Sequence, residues 1–585
     1  MEKSKEWLER RYILLLQEFG EREFTGDEAK QALAGKDDKS SVPVILSELK
    51  KLGLLETQFD PLDSRKRIYK LKTMQERIKK EFALDKEVLT RSDVEAILKK
   101  AADLIRTRVD YKFILILLFL KRISDKWEEE LSAAIKELKQ QGLSDEEALA
   151  EAKKAAYHEF DLPEEYLWDN LRKEVNELPE KFSRALKKLA ELNPDLKDIL
   201  DNTDFIQFTS NTENLEILRQ LVELFSEKKL HHVSPDILGD AYEWILRYFA
   251  PDKAKEGEVY TPREVIQLLI EILKPGKNFS VYDPACGSSG MLIIAYKYVE
   301  ENLGKEAAKQ LFLFGQEVNP KTLALGRMNM YIHDIRDVQL ALGDTLHYPK
   351  FKEGDKLKQF DIVIANPPWN QDGYDEAHIK RGEFWNSRFK YGFTPKQSAD
   401  WLWIQHMLAS AKGNPGKVGI IIDNGCLFRG GKERAIRERV LKDDLIECII
   451  LLPEKLFYNT GAPGAIIIFN KNKPVERKNK VLFINTSNDY EKHPEVRKLN
   501  ILAGKNRDKI VSAFDSFSET SGFSRVVPIE EIEKQDFNLN VTLYAFPEEE
   551  QEDIDVGTEW QDLKQIEKEG SEVEKKIEGF LKEIK

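Results

Sequence analysis

The sequence predicts an α/β fold, a parallel sheet wrapped by helices with a helical region in front of it. Three observations carry that prediction. Between about residues 259 and 470, seven apolar runs of strand length (FSVYD, LFLFGQE, VQLALGD, FDIVIAN, KVGIIID, IECIILL, AIIIFN) alternate with stretches of helical spacing. Strands that are apolar throughout belong to sheets covered on both faces. From about 80 to 250 the apolar residues keep helical spacing. Finally, 585 residues with 41% hydrophobic content suit three or four folded units at roughly 100–200 residues each.

Taken in order, Trp7, Leu8, Ile13, Leu14 and Leu16 suggest a first helix, and Thr25-Gly26-Asp27-Glu28 has the capping-box form that starts a second. Val44, Ile45, Leu46, Leu49 and Leu52 suggest a third, ended by Gly53. LLET and RIYKLK then flank the turn-rich FDPLDSRK as a two-stranded ribbon. Three helices and a ribbon in that order resemble a winged helix, a module that serves DNA binding and protein docking alike. In the helical region, Ser144-x-x-Glu147 opens what reads as a long helix, and Phe113 to Leu120 (FILILLFL) reads as a buried one. That run is far short of the roughly 20 residues that span a bilayer. His231-His232 has no patterned Cys, Asp or Glu partner, so no metal is expected. Near the C-terminus Leu563, Ile566, Gly570, Val573, Ile577, Phe580 and Ile584 follow heptad spacing, broken only by the glycine. Such a helix packs on its own body or forms a coiled coil with a partner.

The chain has 91 basic and 104 acidic residues, net −13, which excludes a protein that coats nucleic acid by overall charge. The acid is concentrated: residues 548–585 carry 14 acidic and 6 basic side chains, leaving −5 for the other 547. Three cysteines, Cys286, Cys426 and Cys448, make a disulfide framework unexpected. The N-terminal MEKSKEWLERR lacks the apolar core of a signal peptide, and a soluble, cytoplasmic protein is expected.

The chemistry gathers at strand ends. FSVYD ends at Asp283 and enters Pro284-Ala285-Cys286-Gly287-Ser288-Ser289-Gly290, a turn of small residues that lets backbone approach a ligand closely. It lacks the Gly-Lys-Ser/Thr of a phosphate-binding loop, and its acidic start suits a cationic, phosphate-free cofactor such as S-adenosylmethionine. LFLFGQE ends at Glu317, placed for ribose hydroxyls, and the next strand ends in Gly343-Asp344, placed for an adenine ring. Each acid alone could be a helix N-cap; three at successive strand ends describe one ligand rim. The fourth strand, FDIVIAN, leads into Asn366-Pro367-Pro368-Trp369. The prolines remove backbone donors and leave carbonyls as acceptors. The Asn366 oxygen and the Pro367 carbonyl can then hold both N–H groups of an exocyclic amine and stabilise positive charge as that nitrogen attacks a methyl. Trp369 offers a face to a base taken out of the duplex. Methylation at cytosine carbon needs a thiolate nucleophile, and no cysteine lies between Cys286 and Cys426.

The order TPR, PACGSSG, QE-N, GD and NPPW resembles amino-group methyltransferases, and residues 90 to 470 resemble the modification (DNA adenine methyltransferase) subunit of type I restriction-modification systems. KAADLIR, DILGDAYEW, GEVYTPREV, GQEVNPKTLALGRMNMYIHDI and LPEKLFYNTGAPGAIIIF carry the likeness further. The resemblance implies a Rossmann-like S-adenosylmethionine-dependent methyltransferase sheet. Tyr260, Thr261 and Pro262 would hold the methionine end of the cofactor, Asp283, Pro284, Ala285, Gly287 and Ser288 would line its turn, Glu317 would take the ribose and Asp344 the adenine. Asn366, Pro367, Pro368 and Trp369 would receive the flipped target adenine. The sequence departs from the family at Ser289, where glycine is commoner, at Trp369, where phenylalanine or tyrosine is, and at Asp423-Asn424-Gly425, which replaces a proline-led turn before LFRGG.

The expected organisation is a winged-helix-like module at 1–75, a helical domain at 80–250, the methyltransferase domain at 251–475, a mixed segment at 476–550 and a heptad helix for partner docking at 556–585. Lys380 to Arg439 holds 12 basic and 5 acidic residues among aromatics, which suits phosphate contacts beside an extruded base. Arg381, Arg388 and Lys390 are the candidates, with Trp401 and Trp403 read as core. The resemblance implies as partners DNA, a specificity subunit, a restriction translocase and a second copy of the chain held through the specificity subunit, with no membrane. Two other readings stay open: a stand-alone amino-methyltransferase acting on DNA or RNA bases or on glutamine, and a silent DNA-binding scaffold.

Overall fold

The structure, a computed structural model, describes residues 15, 18–19, 22–33, 42–51, 55–60, 63–71, 91–105, 109–173, 177–193, 196, 205, 212–228, 230, 233, 235–253, 261–457, 460–494, 496–546 and 556–583. The chain divides into two compact units, residues 1–94 with 226–234, and residues 95–225 with 235–585.

In the first unit the capping box forms as expected. The Thr25 hydroxyl accepts the Glu28 N–H at 3.3 Å and the Glu28 carboxylate accepts the Thr25 N–H at 2.7 Å, starting α1 (Gly26–Ala32). Helix α2 is Val42–Lys51. Strands β1 (Phe24–Thr25), β2 (Leu55–Asp60) and β3 (Asp63–Leu71) form an antiparallel sheet in the order β1-β3-β2. The ribbon runs deeper into FDPLDSRK than its composition suggests, since only residues 61–62 separate β2 from β3. Phe24, Ile45, Leu49, Leu55 and Leu71 are buried in one core. Trp7, Leu8, Ile13, Leu14, Leu16 and Gly53 lie outside the described residues or side chains.

The second unit opens with long helix α3 (Lys112–Gln140), in which all of Phe113 to Leu120 is buried. Ser144 and Glu147 form the expected capping box, but α4 (Asp145–Ala152) is short. Its buried side consists of Ala148 and Ala152, and the lysines that follow turn to Glu164 and Glu151. Helices α5 (Pro235–Lys253) and α6 (Arg263–Leu273) lead to the sheet. The helices and strands used below are β4 (Ser280–Asp283), α7 (Gly290–Leu303), β5 (Phe312–Glu317), α8 (Pro320–Ile332), β6 (Val338–Leu342), β7 (Ile362–Ala365), α9 (Asp400–Ser410), β8 (Lys417–Asp423) and α10 (Gly431–Lys442). They are followed by β9 (Ile446–Leu451), β10 (Gly464–Asn470), β11 (Lys480–Asn485), β12 (Ser524–Pro528) and the C-terminal helix α11 (Val556–Glu583).

Nine strands form one sheet in the order β12-β11-β9-β10-β8-β7-β4-β5-β6. The parallel expectation holds from β8 to β6, but β10 is antiparallel to both β8 and β9, and β12 is antiparallel to β11. The described residues between β9 and β10 contain no helix. Without a crossover helix the chain turns back, and the next strand enters with reversed direction. Strand period 2 divides the core between the faces: Ile362 and Ile364 of β7 pack with α6 and α7 on one, while Val363 and Ala365 pack with α9 on the other. Trp401 and Trp403 are buried there, as the sequence implies.

Candidate active site

Strands β7, β4, β5 and β6 are parallel neighbours, so Asn366, Asp283, Glu317 and Gly343-Asp344 emerge along one edge of the sheet. The small-residue turn after β4 lies directly on β5. The Cys286 N–H donates to the Gln316 carbonyl at 3.0 Å, and a Cβ on Gly315 would sit 2.8 Å from the Cys286 sulfur. Only glycine allows that approach. At the start of α7, Ser289 adopts φ +66°, a left-handed conformation that glycine takes more easily. Its hydroxyl is buried with no oxygen or nitrogen partner, facing the Cys286 thiol instead. The serine departure from the family is therefore accommodated at a backbone and hydrogen-bond cost.

A cavity of about 600 Å³, counting its open mouth, lies on this edge. It brings together Thr261, Asp283, Ala285, Gly287, Ser288 and Asn366 from the sequence reading, and adds Glu243, Arg263, Cys286 and Asn329. Pro262, Pro284, Glu317 and Asp344 do not line it, and Tyr260 lies outside the described residues. Glu317 stands one step behind, accepting the Gly287 N–H at 3.1 Å and the Asn319 N–H at 2.8 Å. Pro284 gives its carbonyl to the Thr345 hydroxyl at 2.6 Å. The Asp344 carboxylate is engaged by the His347 ring, the Tyr374 hydroxyl and two backbone N–H groups. Burial pushes the Asp283 carboxyl up to about 8; the Ala285 N–H opposes this and the nearby Glu317 charge adds to it. The set fits S-adenosylmethionine. Carboxyls at Asp283 and Glu243 face a site without a phosphate-binding loop, and the buried Asn329 Oδ1 has no hydrogen-bond partner, an acceptor available to an amine or hydroxyl.

In the Asn366-Pro367-Pro368-Trp369 loop, the Asn366 amide is held at both ends. Its Nδ2 donates to Thr261 Oγ1 at 2.7 Å, and its Oδ1 accepts from Trp369 Nε1 at 2.9 Å. Trp369 is half-buried, with its ring edge-on to Phe457 at 4.8 Å between centroids and against Gly464. Among the described residues, no hydrogen bond ends on the Pro367 carbonyl. The far side of the loop is pinned by a cluster that sequence reasoning missed. Asp400 accepts the Asn370 N–H at 3.0 Å, and Arg429 bridges Asp400 (2.8 Å), Glu433 (3.5 Å), Asp423 and the Asn370 side chain. Asp400 and Glu433 are almost fully buried, and burial raises the pKa of both carboxyls despite Arg429. The remaining signal in sequence was the arginine of LFRGG beside the altered Asp423-Asn424-Gly425 turn.

All three cysteines are buried free thiols, and burial pushes each well above its ordinary value. None is placed to act as a thiolate. Of the DNA candidates, Arg381 and Lys390 are exposed, the latter 3.2 Å from Asp443. Arg388 is not a DNA contact: it is 1% exposed, and its guanidinium donates to the carbonyls of Thr345, Leu346 and Glu383 at 2.9, 2.7 and 2.5 Å. Burial lowers its pKa to about 10, so it stays charged at neutral pH and holds loop backbone. His231 and His232 lie outside the described residues, and among those described no group of three or more His, Cys, Asp or Glu converges as a metal site. No helix among them is long and apolar enough to cross a membrane.

The family described as N-6 DNA methylase matches residues 233–553, and the HsdM N-terminal domain matches residues 94–225. The type I restriction enzyme MjaVII methylase subunit of Methanocaldococcus jannaschii is 42% identical over 99% of this chain and 97% of its own. The MjaVIII methylase subunit of the same organism is 44% identical over 98% of this chain and 97% of its own. The crystal structure of a type I restriction-modification system methyltransferase subunit from Streptococcus thermophilus aligns with a TM-score of 0.67 at 25% identity, over 78% of this chain and all of that one.

Proposed function

The chain belongs to the N-6 DNA methylase family, and from that membership we infer that it transfers a methyl group from S-adenosylmethionine to N6 of adenine in double-stranded DNA. It does so as the modification subunit of a type I restriction-modification complex. The observation that carries the reading is that Asn366 of the catalytic loop and Asp283 of the cofactor turn line one cavity. When bound, S-adenosylmethionine supplies a methyl group on a positively charged sulfur. Asp283, with Thr261 and the Ala285 to Ser288 turn, orients that cofactor, with Glu317 assigned to the ribose and the Gly343-Asp344 turn to the adenine. Asn366 Oδ1 and the Pro367 carbonyl accept the two N–H groups of the target amine and favour positive charge on its nitrogen. Trp369, beside Phe457, supports the extruded base. A buried thiol plays no covalent part, and the extra proton leaves the cationic nitrogen for water.

The test is to incubate the chain, with and without a specificity subunit, with labelled cofactor and DNA. Label at adenine N6 is expected. Label confined to RNA or protein would favour the base- or glutamine-directed alternative, and no turnover with intact DNA binding would favour a silent scaffold.

Affinity for the cofactor should depend on pH. Below about 8 the Asp283 carboxyl carries a proton in the free protein, which must leave before a carboxylate can face a cation. The dissociation constant is therefore expected to fall by up to roughly tenfold per pH unit from pH 6 to 8 and then level off. Titration calorimetry across that range checks this, with Asp283→Asn flattening the profile.

Four apolar side chains of α11, Leu563, Ile566, Val573 and Ile577, are 48 to 67% exposed, while the Phe580 side chain and Ile584 lie outside the description. The exposure of these four side chains supports the docking alternative. We assign residues 556–585 to the specificity subunit, through which a second copy and the restriction subunit join the complex. Deleting them is expected to abolish co-purification with that subunit while leaving S-adenosylmethionine binding unchanged. Arg381 and Lys390 remain assigned to the DNA phosphates, and the module at 1–75 to a winged helix of the DNA-binding or docking kind.

A further inference from the structure

An asparagine amide can present its oxygen or its nitrogen to a substrate amine, and only the oxygen accepts the amine's N–H groups. A side chain free to flip would spend part of its time in the wrong orientation. In this structure a donor-only neighbour removes that freedom, while a hydroxyl holds the other end of the amide. Thr261 Oγ1 accepts from the Asn366 amide nitrogen at 2.7 Å, and the Trp369 indole N–H, a donor with no acceptor capacity, meets the amide oxygen at 2.9 Å. A flipped amide would set N–H against N–H at Trp369. The ring that makes this contact is itself fixed, since a Cβ added at Gly464 would come within 2.9 Å of it and of Phe457.

We propose that Trp369 is a positioning residue as well as a stacking face: its indole N–H and the Thr261 hydroxyl clamp the Asn366 amide with the oxygen toward the target amine. One lone pair of Oδ1 takes the indole proton and the second is left for the substrate. The phenylalanine or tyrosine commoner at this position offers a ring with no donor at that edge, so the device belongs to this chain's NPPW. Because Thr261 also lines the cofactor cavity, the clamp joins the cofactor site to the target-base site by two hydrogen bonds. The inference rests on the methyl-transfer reading above and deepens it.

The test uses the full chain with its specificity subunit. Trp369→Phe keeps an aromatic face and removes the donor. It is expected to leave the KM for DNA within about twofold and to lower kcat about tenfold, the size of one hydrogen bond. Thr261→Val should lower kcat likewise, and should also raise the KM for cofactor. In an Asn366→Ala background, Trp369→Phe should cost nothing further, because the group it positions is gone. A wild-type kcat in Trp369→Phe, or a full additional loss on top of Asn366→Ala, would overturn the proposal. The second readout needs no turnover. In the chain carrying nitrogen-15 tryptophan, the indole resonance that disappears in Trp369→Phe is expected to shift in Asn366→Ala, and an unmoved resonance would sink the clamp. Since that signal is independent of substrate, a chain that fails to methylate DNA yet shows the shift would refute the functional reading and not the clamp.

Discussion

Replacing Asn366 with alanine is expected to lower methyl transfer by about 10²- to 10³-fold, with S-adenosylmethionine binding changed only a few-fold. The magnitude is that of removing one preorganised group aimed at developing charge. An exocyclic amine is a poor nucleophile while its lone pair is spread into the ring. The acceptor that favours its localisation acts in the transition state more than in the bound substrate, so kcat should fall and KM should not. Asn366 sits on the cavity rim and makes its bonds to Thr261 and Trp369, which leaves the Asp283 turn untouched by the substitution. Single-turnover transfer of labelled methyl, alongside equilibrium binding of the cofactor, separates the two effects.

Replacing Arg429 with alanine is expected to cost about 3–5 kcal/mol, the usual result of deleting one partner from a buried ion pair. Asp400 and Glu433 are each about 1% exposed or less, and Asp423 shares the same guanidinium. Three carboxylates would be left facing one another. Burial already raises the pKa of Asp400 and Glu433 with the arginine present, and its loss would raise them further. Protonation then relieves the variant, so the gap in melting temperature from wild type should narrow as pH falls from 8 to 6. A gap that widens on acidification would be inconsistent with uncompensated carboxylates. The Asn370 contact is lost too, so kcat should fall at temperatures where the variant is still folded.

Strand ends proved the most legible part of the sequence. Asp283 ends one strand that is buried along its whole length and Asn366 follows another, and neighbouring parallel strands then deliver both to one rim. Their placement could be read because residue type, turn and strand end coincide. Arg388 was misread for the opposite reason. In a stretch crowded with cations and aromatics, a guanidinium that caps three carbonyls and one that meets phosphate have the same sequence context. Arg429, Asp400, Glu243 and Asn329 were missed because each belongs to a separate helix or loop and meets the site only through tertiary packing. The reversal of β10 was invisible in a run of isoleucines, since burial on both faces sets composition and the missing crossover helix sets direction. Serine at position 289 gives no hint of its left-handed backbone.

The uncovered stripe on α11 also bears on how the chain behaves before it meets a partner. Four large aliphatic side chains on one exposed face form an adhesive surface that water disfavours. An unassembled copy is expected to find another copy, or a chaperone, through that face, at a rate that rises with concentration. Supply of the subunit in excess of its partner then becomes a solubility problem, and synthesis alongside the partner becomes the simplest way to keep the surplus in solution.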